Sequence, residues 1–382
     1  MRSFRHHFTR SLAAERQHFA AHSHHLWPDV TREAQLAAWD DAARRADTKW
    51  DVVLGEQWAE ACSHLASQLH VPASDSFAIA PNVHELLVRL FSSLEWRPVR
   101  ILSTGSEFHS FTRQAQRWVE AGLATWEAVP AEPFDTLAER FEAAVQRGGH
   151  DLVYASHVFF DSGYRFDEVF RIVERAPAEA LVAVDGYHGF MAVPTSLEAV
   201  HERVFYLAGG YKYAMAGEGV CFAHAPPGLA ERPVDTGWFA GFGALEEAGT
   251  ERVAYTRDGG RLWGATFDPT GIYRFNAVQR LLADEDLDVH ALHQRSLALQ
   301  QLFLDALPGN ALGLRADQLV VAEPQRRGNF LTFRRDDASA LRARLLEAGV
   351  VTDARADRLR FGFGLYCDPE DVERLARTLR SL

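Results

Sequence analysis

The chain has 382 residues, of which 47% are hydrophobic and 24% are charged. This composition is typical of a globular protein with a sizeable core, and the length predicts two domains or one large domain with an appendage. Lys and Arg number 40 against 52 Asp and Glu, so the formal net charge is -12. Because an acidic chain binds phosphate backbones and anionic lipids poorly, nucleic acid and membrane are disfavoured and a small molecule is favoured.

The start of the chain is basic: Arg2, Arg5 and Arg10 precede the first acidic residue, Glu15. A transit peptide has such a pattern, and so does an amphipathic first helix in a cytoplasmic protein. We favour the helix and a cytoplasmic location. No apolar run reaches the ~18 residues that a membrane-spanning helix requires.

Short apolar runs alternate with amphipathic stretches over the first 225 residues. The clearest helix follows Asn82, where apolar residues from Val83 to Leu94 recur at a spacing that places them on one face. Strand–helix alternation predicts an α/β fold with a mostly parallel central sheet and helices on both faces. The predicted strands are Ser76–Ala80, Val99–Leu102, Asp151–Ala155, Leu181–Val184, Val204–Leu207 and Val220–Ala223.

This alternation thins after about residue 225. The segment Pro226–Arg261 is predicted to be rich in loops, and a long helical region follows from about Gly271 to Leu307. From Asn329 to Leu382 the pattern predicts a compact α/β layer with two strands and two helices. The loop prediction rests on the glycines Gly237, Gly241, Gly243 and Gly249. In the final layer, the predicted bounds are helix Ala338–Ala348, strand Leu359–Gly362 and helix Pro369–Leu379.

In open parallel sheets, ligands bind at the carboxyl ends of the strands, so the residues that follow each strand are candidates for chemistry. Asp185 ends one strand and His188 follows it. A buried carboxylate needs a cationic or hydrogen-bonding partner, although a helix cap beside a surface histidine explains this pair equally. Lys212 follows the next strand, between tyrosines and glycines. A desolvated lysine can form a Schiff base, although a solvated loop lysine is the plainer interpretation.

Two further strand ends add an anion site and an aromatic ring. Asn82 lies at the start of a helix, whose free N–H groups can bind an anion, as those of any helix can. Phe108 can stack on a flat cofactor or simply pack in the core. Taken together, the strand ends offer a phosphate site, a ring stacker, an acid and a lysine. A pyridoxal phosphate enzyme requires this set.

Six short stretches match the motifs of one enzyme family. They are Pro81-Asn82-Val-His84, Asp185-Gly-Tyr-His188, Gly210-Tyr211-Lys212-Tyr213 with Gly217 and Gly219, Asp235-Thr-Gly237-Trp238-Phe239, Arg261-Leu-Trp-Gly-Ala-Thr266 and Leu359-Arg360-Phe-Gly-Phe-Gly-Leu-Tyr366. From about Phe19 to the C-terminus, the chain resembles the fold-type I pyridoxal phosphate enzymes of the class V aminotransferase branch, and within it the kynureninases. The Tyr-Lys-Tyr core is the most specific of these matches.

The resemblance implies pyridoxal 5'-phosphate as cofactor and assigns roles around its ring. Lys212 would hold the cofactor as a Schiff base and move the proton at the substrate Cα. Asp185 would pair with the pyridine nitrogen. His188 would lie near the ring oxygen or support Asp185, and Phe108 would stack on the ring.

The resemblance also implies a homodimer with shared sites. Backbone amides from Ile79 to Asn82, with Tyr211, would hold the phosphate. Thr266 would reach the phosphate from the partner subunit, and Trp238 would also come from that subunit. The implied division is a large cofactor-binding domain over residues 51–284 and a small domain formed by residues 1–50 and 285–382.

On the substrate side, the resemblance assigns the α-carboxylate to Arg360, since a guanidinium binds a carboxylate at two points. Ser23 and His24 belong to an N-terminal segment that lines this pocket in the family. Three histidines between His22 and His25 have no acidic or cysteine ligand at a supporting spacing, so we predict no metal there.

The reaction suggested first is kynureninase-like hydrolysis of a β-keto amino acid, kynurenine to anthranilate and alanine, with Tyr211 as proton donor. Transamination is the alternative, in which the same carbanion would be reprotonated on the cofactor instead. Ala80 stands where the kynureninases have Thr and Phe111 where they tend to have an acid, and these departures leave the substrate open. Desulfuration or β-elimination is disfavoured, since desulfuration needs a mobile nucleophilic cysteine. The cysteines are isolated, which also indicates a reducing compartment: Cys62, Cys221 and Cys367.

Overall fold

The computed structural model describes residues 1–13, 16–94, 98–242 and 252–382. Within the loop-rich segment predicted after residue 225, Gly243 and Gly249 therefore lie outside the described residues. The described remainder of that segment contains two short 3-10 turns, Trp238–Gly241 and Gly259–Leu262, which agrees with the prediction.

A seven-stranded sheet lies at the centre, with the strand order β2-β8-β7-β6-β5-β3-β4. Strand β8 is antiparallel to β2 and to β7, and the other neighbours are parallel, so the mostly parallel sheet is confirmed as a mixed one. The strands are β2 (Phe77–Ala80), β3 (Val99–Thr104), β4 (Ala124–Val129), β5 (Leu152–Ser156), β6 (Leu181–Asp185), β7 (Val204–Gly209) and β8 (Cys221–His224).

Strand β4 is the one strand of this sheet that is not predicted from the sequence. It lies at the edge of the sheet, and three of its six residues are exposed. The strand therefore lacks the buried apolar run by which the others are recognised.

Helices surround this sheet. Between α2 and α3 the helix continues through a π-helical stretch, Val53–Trp58. The helical region predicted from Gly271 to Leu307 is divided into α8 and α9. The helices are α1 (Val30–Arg45), α2 (Lys49–Val52), α3 (Ala59–Leu69), α4 (Val83–Ser92), α5 (His109–Glu120), α6 (Leu137–Arg147), α7 (Glu168–Glu174), α8 (Thr270–Asp284), α9 (Val289–Ala306), α10 (Ala338–Glu347) and α11 (Pro369–Ser381).

The C-terminal layer has an antiparallel sheet of β11 (Asp353–Arg355), β12 (Arg358–Gly362) and β9 (Phe330–Arg334). The start of the chain joins this layer: β1 (Gln17–His18) pairs in parallel with β10 (Val350–Val351). This pairing fits a small domain formed from both chain ends, although the proposed boundaries stay a prediction.

The predicted amphipathic first helix is wrong for the part of the N-terminus that the structure describes. Only a 3-10 turn, Arg5–His7, forms there. Phe4 and Phe8 anchor the segment in the core, and Arg5 pairs with Asp371 of α11 at 2.5 Å. The apolar and basic residues of this segment are therefore explained by its contacts with the rest of the chain, and not by one face of a helix.

Two features of this architecture concern function. Strand β2 runs in the same direction as β7, because both are antiparallel to β8, so the chain leaves β2, β3, β5, β6 and β7 at one edge of the sheet. None of the helices in the described ranges has both the length and the apolar character needed to cross a membrane.

Candidate active site

A cavity of about 560 Å³ opens at this edge of the sheet. Its wall brings together six of the residues proposed from sequence, which come from the ends of four different strands, β2, β3, β6 and β7. The arrangement expected for an open α/β sheet is therefore present. These six lining residues are Asn82, Phe108, Asp185, His188, Tyr211 and Lys212.

A tight loop after β7 presents Lys212. The N–H of Ala216 donates to the carbonyl of Gly210 at 2.8 Å, and the N–H of Gly210 donates to Val220. Gly217 and Gly219 have φ values of 71° and 86°, in the left-handed region that glycine adopts without strain. The glycines noted in the sequence thus close the loop around the lysine.

Lys212 is only 5% exposed, and its amine has no direct carboxylate contact among the residues that the structure describes. Nζ donates to the carbonyls of His22 at 3.1 Å and Ser23 at 3.5 Å. Burial lowers the pKa of Lys212 to about 7, and the nearby Arg360 guanidinium adds to this effect. Near neutral pH, Lys212 is therefore unprotonated in a large fraction of the molecules, and the unprotonated amine can act as a nucleophile and as a base.

Asp185 ends β6 at the floor of the cavity and is 9% exposed. Its carboxylate accepts hydrogen bonds from the Tyr154 hydroxyl at 2.8 Å and from the Tyr187 N–H at 2.9 Å. Both donors are neutral, and burial raises the pKa of Asp185 despite them. A cationic group placed against this carboxylate would therefore be strongly favoured.

Glu107 is a second buried acid near the floor, and the sequence analysis does not single it out. Its carboxyl group accepts from the Ser156 hydroxyl at 2.6 Å and from the Ser156 N–H at 3.1 Å. Burial raises the pKa of Glu107 to about 8, and the charge of Asp185 also raises it. The burial of Glu107 cannot be recognised from the sequence, because it depends on how β3 and β5 pair.

Aromatic residues form one wall of the cavity. Phe108 precedes α5 and meets Phe160 edge-on, with ring centroids 5.3 Å apart. Phe111, which stands where the resembling family tends to carry an acid, is buried and stacks on Tyr154 at 4.0 Å. Phe111 therefore packs against Tyr154, the residue that donates a hydrogen bond to Asp185.

The first turn of α4 also lines the cavity. Asn82 caps this helix, since its side chain accepts from the N–H of Glu85 at 3.0 Å. Pro81, Val83 and His84 also line the cavity. Ile79 and Ala80 instead lie inside β2, where they pair with Phe222 and Cys221. The helix start is thus the part of the proposed phosphate segment that faces the cavity.

The N-terminal segment covers the lysine. His24 stacks on Tyr211 with ring centroids 5.0 Å apart, and the Ser23 carbonyl accepts from Lys212. His25 is structural: its Nε2 accepts from the N–H of Leu365 at 3.1 Å, and burial lowers its pKa to about 4. The three histidines of the cluster therefore have different environments.

His188 lies on the cavity wall close to Asp185 in sequence and is buried. Burial lowers its pKa well below the ordinary value, and the charges of Lys212 and Arg360 lower it further. The imidazole is therefore neutral at physiological pH, able to accept one hydrogen bond and donate another.

The proposed role of Arg360 in binding the substrate carboxylate stays a prediction. It is buried beside the cavity, where it donates to the carbonyl of the lining residue Phe160 and forms an ion pair with Asp353. Arg360 is not among the residues that line the cavity in the described part of the chain. The sequence analysis does not identify Asp353.

Trp238 and Thr266 lie together and exposed. The indole Nε1 of Trp238 donates to the Thr266 hydroxyl at 3.3 Å, and Trp238 is 42% exposed. Arg261, in the same motif as Thr266, is buried and donates to backbone carbonyls of Pro226, Leu229 and Asp258. That motif therefore folds the loop that presents Thr266.

All three cysteines are buried. Burial raises the pKa of Cys62 well above its ordinary value and the pKa values of Cys221 and Cys367 to about 12. The thiolate is the nucleophilic form, so these positions are poor sites for thiol chemistry.

Comparison with known proteins gives two kinds of match. The family model described as "Kynureninase C-terminal domain" matches residues 292–379. A kynureninase from Deinococcus radiodurans is 28% identical over 364 residues, which cover 92% of this chain and 81% of that protein.

The structural matches share the fold at lower identity. A cystine C-S lyase has a TM-score of 0.80 and 18% identity, covering 97% of this chain and 98% of the other; another structure of that lyase holds glycine covalently linked to pyridoxal phosphate. A cysteine desulfurase from Thermococcus onnurineus has a TM-score of 0.78 and 15% identity, covering 100% and 98%. The chain has the fold of the fold-type I pyridoxal phosphate enzymes, with distant sequence similarity to the kynureninases.

Proposed function

We propose that this protein is a pyridoxal phosphate enzyme that hydrolyses a β-keto amino acid, as a kynureninase does, with kynurenine as the first substrate to test. The observation that carries the proposal is the buried pair of Lys212 and Asp185 in one cavity. Similarity to a kynureninase over 92% of the chain directs the choice of reaction.

The donor set of the cavity fits this cofactor. Asp185 has only neutral hydrogen-bond donors among the described residues and a raised pKa, so a protonated pyridine nitrogen would supply its missing cation. The first turn of α4 suits a phosphate, and Phe108 offers a ring face. When bound, pyridoxal phosphate withdraws electrons from the Cα of an amino acid.

Lys212 is proposed to anchor the cofactor and then to move the proton at the substrate Cα. A general base works best when its pKa lies near the working pH, and that of Lys212 is about 7. The carbonyls of His22 and Ser23 orient the amine from the N-terminal side.

Tyr211 is proposed as the proton donor toward the departing acyl side of the substrate. Burial raises its pKa to about 12, so the phenol keeps its proton at neutral pH. Its ring lies 4.7 Å from the Lys212 Nζ, and this proximity supports the proposal that the two residues act on the same part of the substrate. His188, neutral and buried, is proposed to hold the ring oxygen or to support Asp185.

A homodimer is part of the proposal. Trp238 and Thr266 are exposed, which leaves both side chains available for contact with a second copy of the chain. Their mutual hydrogen bond presents them as one unit.

Desulfuration is the weaker candidate, although cysteine desulfurases share the fold. It would need an accessible thiolate, and all three cysteines are buried with raised pKa values. Transamination remains the alternative outcome, because it uses the same lysine and acid.

The test is incubation of the pyridoxal phosphate-loaded protein with kynurenine, without any keto acid. We expect anthranilate and alanine in equal amounts. A requirement for a keto acid, with the cofactor accumulating in its amine form, would establish transamination instead. A protein that gains no absorbance near 400 nm with added cofactor would disprove the whole proposal.

A further inference from the structure

Arg360 is already bound to a carboxylate of its own chain. Its guanidinium is 3% exposed, and its two terminal nitrogens donate to the Phe160 carbonyl and to Asp353. The third nitrogen, Nε, is buried and has no hydrogen-bond partner in the described part of the chain. A substrate carboxylate bound at two points would therefore have to share or take the place of Asp353.

The fold holds Asp353 in this position. Asp353 and Arg360 face each other across the antiparallel pair β11 and β12. The other oxygen of Asp353 accepts from Arg355 at 2.9 Å. Asp353 is thus a built-in counterion and not a chance contact of a mobile side chain.

The guanidinium lies close to the cavity. Phe160, which accepts from Arg360, lines the cavity wall, and the charge of Arg360 depresses the pKa of Lys212. A carboxylate in the cavity would approach the guanidinium beside Phe160, the lining residue whose carbonyl accepts from Arg360.

A second site can receive Asp353 if it leaves Arg360. The Nε2 atom of His22 lies 3.9 Å from the Asp353 carboxylate. His22 is completely buried, and within the described ranges neither of its ring nitrogens has a hydrogen-bond partner. A small rotation of Asp353 would satisfy one of these nitrogens, which reduces the cost of releasing Arg360.

We propose that Asp353 competes with the substrate α-carboxylate for Arg360 and thereby sets how tightly the protein binds amino acids. This proposal rests on the proposed function, because it takes an amino acid as the ligand of the cavity. Asp353 would be a specificity-determining residue that lies outside the six sequence stretches that match the family.

The experiment compares two probes that differ by the carboxylate. Wild-type and Asp353→Asn proteins are loaded with pyridoxal phosphate and titrated with L-alanine or with ethylamine, and the dissociation constants are read from the absorbance change. We expect Asp353→Asn to lower the Kd for L-alanine about tenfold, which is ~1.4 kcal/mol, and to leave that for ethylamine unchanged.

Controls separate the possible causes. Asp357→Asn removes a carboxylate from the same hairpin, where it lies near Arg334 and Arg358 rather than Arg360, and should leave both constants unchanged. Ethylamine detects any effect that acts only through the pKa of Lys212. Thermal unfolding shows whether each variant is folded, and Asp353→Ser removes the same charge if Asp353→Asn is not.

Three results would overturn the proposal. Unchanged binding of L-alanine would mean that Asp353 does not compete, and weaker binding would mean that it orients Arg360 for the substrate. An equal fall in the Kd values of L-alanine and ethylamine would mean that Asp353 acts on the amino group of the ligand and not on its carboxylate. If the wild-type protein takes up no cofactor, the proposed function fails first, and that result is distinct from these.

Discussion

The two charged pairs beside the cavity differ in what they contact. Arg360 and Asp353 form a direct ion pair within the chain. Lys212 and Asp185 are equally buried, yet the lysine donates to backbone carbonyls and the acid accepts from neutral donors. One pair is already neutralised, whereas the other keeps its charges apart.

This difference shows which end of the cavity is ready for a ligand. Burial lowers the pKa of Lys212 and raises that of Asp185, so each carries an electrostatic cost that a bound group of suitable charge would remove. A ligand at the Arg360 end must instead compete with an existing partner.

Replacement of Lys212 should have the largest effect. In Lys212→Ala we expect no covalent attachment of pyridoxal phosphate and a fall in kcat of ~10²–10⁴-fold, because the base at Cα is lost. Absorbance near 400 nm and borohydride reduction followed by peptide mass spectrometry measure the attachment.

The chain provides its own control, since Lys49 is the only other lysine. Reduction should label Lys212 and leave Lys49 unmodified, and Lys49→Ala should behave as wild type. Label on Lys49 in the wild-type protein would contradict the assignment.

Asp185→Asn should weaken cofactor binding about 10–100-fold, the range expected when a hydrogen bond to a charged group worth about 1.5–3 kcal/mol is lost. Fluorescence or absorbance titration of the apo-protein gives the Kd. Glu107→Gln is the matched variant. With a pKa of about 8, Glu107 is mostly neutral at pH 7, so its amide should keep affinity within about threefold. Equal losses in both variants would remove the special role of Asp185.

Cofactor uptake should depend on pH through Lys212. Only the neutral amine attacks the aldehyde, and with a pKa of about 7 the neutral fraction rises about tenfold from pH 6 to pH 8. The rate of uptake by apo-protein, followed by stopped-flow absorbance, should therefore rise with pH and level off above pH 8. In Arg360→Met the profile should move to higher pH, since a cation that lowers the pKa of Lys212 is gone. A profile that keeps rising to pH 10 would mean that the lysine is solvated.

The two ends of the cavity also differ in how well the sequence predicts them. The end of the cavity that holds Lys212, Asp185 and Phe108 is predictable, because each residue directly follows a strand and the ends of parallel strands meet at one edge. The helix start at Asn82 is predictable from its capping residue and apolar spacing.

The Arg360 end is less predictable. Asp353 reaches Arg360 only through the register of β11 and β12, and no local pattern reports that register. The depth of Glu107 likewise depends on tertiary packing. Strand β4 is missed because its side chains are mainly exposed. Contacts set by pairing between distant strands are thus the part that the sequence does not reveal.

The smallest effect is expected for Tyr154→Phe, which removes the hydroxyl that donates to Asp185 at 2.8 Å and keeps the ring that stacks on Phe111. Loss of this donor disfavours the ionised form, so the pKa of Asp185 should rise further and cofactor affinity should fall by about three- to tenfold, near 1 kcal/mol. Tyr164→Phe removes a hydroxyl outside the cavity lining and should change nothing. Because the effect acts through ionisation, the loss in Tyr154→Phe should shrink as pH rises and Asp185 becomes fully charged. A loss that is constant from pH 6 to pH 9 would show that the hydroxyl only packs, and the acid would then be charged without its help.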